Sequence, residues 1–397
     1  MGKTYDFDKA VDRRKTSCLK YDFGMKRKGR DDLLPLWVAD MDFQLPEEIL
    51  ADFRARIDHG IFGYTDPDQE YYDALEHWFF TRHGYHVEPE TVTVGCGVVY
   101  GLATGVKAFT KEGDAILIQQ PVYYPFREVI EDNGRIFINN QLHYENGRYT
   151  VDFEDFERKI VENQVKVFLL CNPHNPVGRV WTKEELECMG DICLRHHVII
   201  MDDEIHCDFV YPGYHFTSFM TLDEKYQENL VLYTSPSKTF NVAGFQPANI
   251  IIPNPELRAA YRKANAAAGY SQGNVMGQVA VKSVYTKGAR WVDELLEYLT
   301  GNMEYMRAFV KENFPKAHFV EPEGTYLTWV DFSGYGFTDE ELEHLMVEEA
   351  KLWLDCGKVF GPETAQFERF NIACPRATVV KAMEQLKAAL DAHVSWK

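Results

Sequence analysis

Tyr233-Thr-Ser-Pro-Ser-Lys-Thr-Phe-Asn241 is the stretch on which the fold of this chain turns. The apolar run at 230–233 predicts a strand, and Pro236 then breaks it. Lys238 therefore stands just past the strand's carboxyl end, with Ser235 and Ser237 close by in the chain. A lysine there, partly desolvated, can lose its proton and condense with a carbonyl to an imine. The two hydroxyls suit phosphate oxygens. The same residues also read as a loop lysine among turn serines, and the stretch alone does not choose between them.

Outward from it, short apolar runs alternate with amphipathic ones. Strands are predicted over 91–94, 115–118, 136–139, 165–170 and 198–201, and helices over 98–110, 125–132 and 183–196. This alternation predicts an α/β fold: a large domain with a mostly parallel sheet between helices. Ligands of such sheets bind beyond the carboxyl ends of the strands. Before this region, residues 1–45 read as an arm, followed by helical periodicity over 47–57. After it, a long helical pattern at 292–313 leads to strands predicted at 325–330 and 370–373 and helices at 338–355 and 379–392. The expected division is an N-terminal arm (1–45) joining a small domain, a large domain (46–285) and a smaller α+β C-terminal domain (286–397).

Three more predicted strands end in chemistry. Ile199-Ile-Met-Asp-Asp203-Glu-Ile-His206 closes in carboxylates and a histidine. Cys171-Asn-Pro-His-Asn175-Pro-Val-Gly178 is a rigid polar turn. Val94-Gly-Cys-Gly97-Val98 leads from strand to helix, where free N–H groups bind phosphate. It is neither a dinucleotide fingerprint nor a P-loop. Each also reads as an ordinary loop.

The chain as a whole narrows the class. At 397 residues it can bury a large core, and its formal charge of −19 argues against nucleic acid or an anionic membrane as partner. The first eighteen residues lack the apolar core of a secretory leader, and no run is long enough to span a membrane. The eight cysteines show no metal-ligand spacing and are expected as free thiols in a reducing cytoplasm, with no metal bound.

In this order the segments resemble the fold-type-I pyridoxal-phosphate enzymes, the aspartate aminotransferase superfamily. Asp-Arg-Arg-Lys-Thr-Ser near the start, Leu-Trp-Val-Ala-Asp-Met-Asp-Phe at 36–43, Phe-Gly-Tyr at 62–64, Asp-Glu-Ile-His at 203–206, Ser-Pro-Ser-Lys-Thr-Phe-Asn at 235–241 and Asn-Ile-Ala-Cys-Pro-Arg at 371–376 narrow the likeness to its cystathionine β-lyase (C–S β-lyase) branch. The resemblance runs from about residue 5 to about residue 390.

It implies pyridoxal 5'-phosphate as cofactor, with Lys238 as its anchor and as base for the substrate's α-proton. It further implies Asp203 at the ring nitrogen, Asn175 and His206 at the ring oxygen and Tyr123 stacked on the ring. Gly97, Val98, Ser235 and Ser237 would hold the phosphate, joined by Tyr64 from the second subunit of a homodimer. Arg369 would grip the substrate carboxylate, with Arg376 as a second anion contact. Gln246 stands where many aminotransferases have a phosphate-binding arginine, so its role is open. The implied activity is α,β-elimination from L-cystathionine or a related cysteine S-conjugate, releasing a thiol, pyruvate and ammonia. The alternatives are an aminotransferase or a cofactor-binding regulatory protein.

Overall fold

Seven strands form the central sheet of the computed structural model, which describes residues 4–394. The ends of the expected arm and C-terminal domain (1–3 and 395–397) lie outside the described residues. Across the sheet the order is Val92–Cys96, Pro247–Ile251, Leu230–Thr234, Ile199–Asp203, Val167–Cys171, Ala115–Ile118 and Ile136–Asn139. All run parallel except Pro247–Ile251, which is antiparallel to both neighbours. Val167–Cys171 and Leu230–Thr234 are buried at every residue, as expected of strands covered on both faces.

The strand Pro247–Ile251 escaped the sequence reading because it begins with proline, directly after a residue in left-handed conformation, Gln246 (φ 53°). Both features read as turn. Helices Gln69–His83 and Pro255–Ala267 were not anticipated either.

Helix Val98–Phe109 carries the sheet's first carboxyl end into the site. Its N-cap, Gly97, has φ 84°, a conformation that strains other residues. Within the helix Gly105 packs on Tyr233, whose hydroxyl would collide with any Cβ there. A side chain at this position would lift the helix off the strand that leads to Lys238.

A second, antiparallel sheet has the order His318–Val320, Leu327–Asp331, Phe367–Asn371 and Asp355–Cys356. Helices Ala289–Asn313 and Arg376–Val394 pack against each other beside it. The expected helix over 338–355 stops early. Only Asp339–His344 is α-helical, Leu345–Glu349 forms one π turn, and Lys351 turns left-handed (φ 56°). The next residues are taken by strand pairing: Leu352–Trp353 pairs in parallel with Leu34–Pro35, and Asp355–Cys356 pairs with Phe367–Asn371. Tertiary partners outweigh helix periodicity here. The strand expected at 370–373 begins three residues earlier, at Phe367. Among the described residues no helix is long and apolar enough to cross a membrane.

Residues 36–42 form a strap between the two sheets. Leu36 donates to Trp353 O and accepts from Asn371 N, both at 2.8 Å. The Asn371 amide donates to Val38 O and Asp40 O, each at 2.6 Å, and Asn241 brackets Met41 through both its N–H and its carbonyl. Asp42 is buried against Lys20 at 3.0 Å and Arg13 at 2.8 Å. A buried charge of this kind is tolerated because it is paired.

Candidate active site

The strands Val167–Cys171, Ile199–Asp203 and Leu230–Thr234 lie side by side and parallel, so their carboxyl ends share one edge. Beyond that edge is a cavity of ≈ 400 Å³. Gly97, Val98, Tyr123, Asn175, Asp203, His206, Ser237 and Lys238 all line it, together with Gln246.

Lys238 sits in a one-turn helix, Pro236–Thr239, that opens on the serine N-cap. Its Nζ donates to Ala39 O at 2.7 Å, so the strap closes on the lysine. Burial, joined by the repulsion of Arg369, holds the amine down at about 8 against the pull of Asp40 and Asp203. An amine of that kind gives up its proton near neutrality.

Asp203 faces the cavity from the end of its strand. Its Oδ1 accepts from Ile205 N at 3.1 Å, and burial pushes the carboxyl up to about 7. Its neighbours Asp202 and Glu204 are fully buried, and burial lifts both carboxyls far above the usual range. Alternation along the strand aims both away from Asp203. Asp203 is thus the carboxylate of the three that meets the cavity.

Asn175 is fixed by three contacts, one of them its N–H on Cys171 Sγ at 3.4 Å. Its carbonyl accepts Tyr123 N at 3.0 Å, and its Oδ1 accepts Arg369 Nη1 at 3.0 Å. Since arginine only donates, the amide's NH2 end is the one left for a ligand. His206 is buried with no partner for Nδ1, and burial together with Lys238 and Arg369 keeps its ring neutral by pushing its pKa well down. At the other end of the cavity the first N–H groups of helix Val98–Phe109 have no partner within the helix, and the Ser237 hydroxyl lies near them in the wall.

Arg369 is 2% exposed and reaches Asn175 from the middle of its own strand, Phe367–Asn371. Nη2 donates to Trp37 O at 2.8 Å and to Asp355, and the guanidinium packs over the Phe360 ring at 4.8 Å.

Three expected residues stand elsewhere. Ser235 is not in the cavity wall: its hydroxyl accepts Ser237 N at 3.0 Å and reaches Pro247 O at 2.5 Å, so it builds the turn instead of facing the ligand space. Arg376, expected as a second anion contact, does not line the cavity. It opens the last helix and turns to the helix Ala289–Asn313, with Nε on Asn302 Oδ1 at 2.6 Å and its N–H on the Tyr298 hydroxyl at 2.6 Å. Tyr64 is 97% exposed and borders a separate surface hollow with Tyr270 and Asn274.

The sequence reading missed residues that complete the site through backbone. The Ala39 carbonyl holds Lys238 and also accepts the Tyr326 hydroxyl at 3.1 Å. The motif at 36–43 signalled this segment, but no side chain in it pointed to the role. Gln246, left open above, lies in the cavity wall with its Oε1 accepting the Cys96 thiol at 3.2 Å. That contact leaves its NH2 as a donor.

The donor set fits pyridoxal phosphate: a low-pKa amine, a carboxylate open to the cavity, an amide NH2, a neutral imidazole with an unpartnered nitrogen, and a helix N-terminus. Comparison with known proteins agrees. The family model for class I and II aminotransferases matches residues 31–386. Cystathionine beta-lyase PatB of Bacillus subtilis is 42% identical over 386 residues, covering 97% of this chain and 100% of that protein. Cystalysin from Treponema denticola, whose crystal structure contains a pyridoxal 5'-phosphate cofactor, superposes with TM-score 0.95 at 34% identity, covering 98% of this chain and 99% of the other. The PLP-bound C–S lyase from Staphylococcus hominis gives 0.89 at 32% identity, covering 97% and 98%. With its seven-stranded sheet, its lysine at the sheet's carboxyl edge and these full-length likenesses, the chain belongs to the class I and II aminotransferase family, in the fold-type-I architecture.

Proposed function

We propose that this chain is a pyridoxal-phosphate-dependent carbon–sulfur β-lyase that cleaves L-cystathionine or a related cysteine S-conjugate. The observation that carries the proposal is the convergence of Lys238, Asp203 and Asn175 on one cavity, with Arg369 bonded to Asn175 behind them, in a chain alike over its full length to a cystathionine β-lyase. When bound, the cofactor supplies an electron-accepting ring conjugated to the substrate's α-carbon. The chain's residues do the rest. Arg369 and Asn175 orient the substrate carboxylate. Lys238 would anchor the cofactor through its amine and, once freed, take the substrate's α-proton as general base. The electron pair freed at Cα expels the thiolate from Cβ. Water then replaces nitrogen on the three-carbon remainder, so that cystathionine and water give homocysteine, pyruvate and ammonia.

Asp203 would keep the ring nitrogen protonated. Asn175, with His206, would donate to or orient the ring oxygen. Tyr123 would give the ring an aromatic surface. The amides of Gly97 and Val98, the Ser237 hydroxyl and the Gln246 amide would hold the phosphate, and Ser235 shapes the turn that presents Ser237. Tyr64, exposed on its own subunit, reaches the phosphate of a second copy, so the working unit is a cytoplasmic homodimer. The arm 1–45 and the segment 286–397 act as one small domain that the strap 36–42 ties to the large one.

Holoenzyme given L-cystathionine is expected to release free thiol and pyruvate in equal amounts without any keto-acid acceptor. Pyruvate-free turnover that needs an acceptor would make it a transaminase. A pH dependence follows from Lys238. Its amine is charged below about 8 and neutral above, so loading of the cofactor-free chain with pyridoxal phosphate is expected to quicken as pH rises through about 8 and then level. Stopped-flow absorbance reads this. A rate still climbing toward pH 10 would place the amine at an ordinary lysine value.

A further inference from the structure

Asp355 is the residue directly across from Arg369 in the pairing of Asp355–Cys356 with Phe367–Asn371. Its carboxylate accepts from Nη2 of that arginine. The same nitrogen gives its other hydrogen to Trp37 O at 2.8 Å. Nη1 gives one hydrogen to Asn175 at 3.0 Å, and Nε is buried without a partner. A guanidinium grips a carboxylate with two parallel bonds along one of two edges, Nη1 with Nη2 or Nε with Nη2. Both edges need Nη2, and both of its hydrogens are taken. A substrate carboxylate can be held in this way only if one Nη2 partner leaves.

Trp37 O cannot leave readily. It is backbone, fixed in the strap between Leu36 O, bonded to Asn371 N at 2.8 Å, and Val38 O, bonded to the Asn371 amide at 2.6 Å. Asp355 is a side chain on a two-residue edge strand. Burial pushes its carboxyl up while Arg369 and Lys28 pull it down, so its place beside the arginine is held by charge against desolvation. Lys28, which already pairs with Glu343 at 2.5 Å, is the other cation it feels.

We propose that Asp355 is a placeholder carboxylate: it occupies Arg369 in the free enzyme and yields the fork to the carboxylate of the incoming amino acid. This rests on the reading of Arg369 as the substrate's carboxylate grip. Asp355 is then a positioning residue that sets substrate affinity by competition. The opposite role, a strut that orients Arg369 and stays in place, predicts the opposite sign.

The test uses holoenzyme with Asp355→Asn and Asp355→Ser, each first checked for an unchanged melting profile. KM and kcat are measured with L-cystathionine, and the Kd of L-alanine, which has no leaving group, by spectral titration. Competition predicts that KM and the L-alanine Kd both fall about tenfold, the scale of one charge-assisted hydrogen bond, while kcat moves less. A rise in both, or no change in either folded variant, overturns it. The titration needs no thiol release, so it reads Asp355 even if wild-type enzyme does not act on cystathionine. Arg369→Ala in the same titration tests the grip itself: an unchanged L-alanine Kd there would sink that reading and, with it, this one.

Discussion

Alanine at Lys238 is expected to lower thiol release from L-cystathionine by about 10⁴-fold or more, because one side chain both anchors the cofactor and moves the α-proton. Saturating pyridoxal phosphate should not restore the rate, since the missing function is proton transfer as much as attachment. The fold should survive. The side chain makes a single hydrogen bond, to Ala39 O at 2.7 Å, and the turn beneath it is held by Ser235 and Pro247. Circular dichroism and thermal melting of the variant check this. A small primary amine added in solution should recover part of the activity, because it supplies a neutral base to the space that Nζ leaves. If Lys238→Ala releases pyruvate at the wild-type rate, the assignment of the lysine fails, and with it the mechanism.

The features legible beforehand share one physical property: each lies within a few residues of a strand's carboxyl end. Gly97, Asn175, Asp203 and Lys238 stood out as candidates because strand periodicity is local and a parallel sheet brings such ends together, while their roles came from the family resemblance. What stayed hidden is long-range or carried by backbone. The bond from Lys238 to Ala39 spans 199 positions, and that from Arg369 to Trp37 spans 332. A carbonyl has no signature in a one-letter code. Arg376 stands outside the cavity wall for the converse reason. Its motif was distinctive, but the direction of its side chain depends on the packing of the last helix against Tyr298 and Asn302. The helix expected over 338–355 failed because residues 352–356 answer to strands 34–35 and 367–371, which no local window contains. Asp355 therefore read as the tail of a helix, although the fold sets it against Arg369.

Asparagine at Asp203 is expected to have the second largest effect, a fall in kcat of about 10³-fold, comparable with the loss of one preorganised electrostatic group at a reacting centre. The reasoning turns on charge. Burial lifts the Asp203 carboxyl to about 7 even against the Ile205 N–H and Lys238, a cost to the free chain that a cation at the ring nitrogen would offset. The carboxylate and the protonated nitrogen therefore stabilise each other. An asparagine keeps the shape and the bond from Ile205 N but has no charge to hold the proton, so the ring withdraws electrons less well from the α-carbon. No neighbour can take over. Asp202 and Glu204 point to the other face of the strand, and burial holds both carboxyls even further above the usual range. Asp202→Asn should accordingly leave kcat within about threefold of wild type, as expected for a group with no charge to lose at a reacting centre. Cofactor affinity separates the effects further. Equilibrium dialysis should find pyridoxal phosphate bound about tenfold more weakly by Asp203→Asn, since one charge-assisted contact is gone, but still bound, since Lys238, the Val98 amide and Ser237 remain. Asp203→Glu, which restores the charge at a shifted position, should recover part of kcat. Equal rates for Asp203→Asn and wild type at saturating cofactor would mean that the ring nitrogen works unprotonated, and that this carboxylate serves the fold alone.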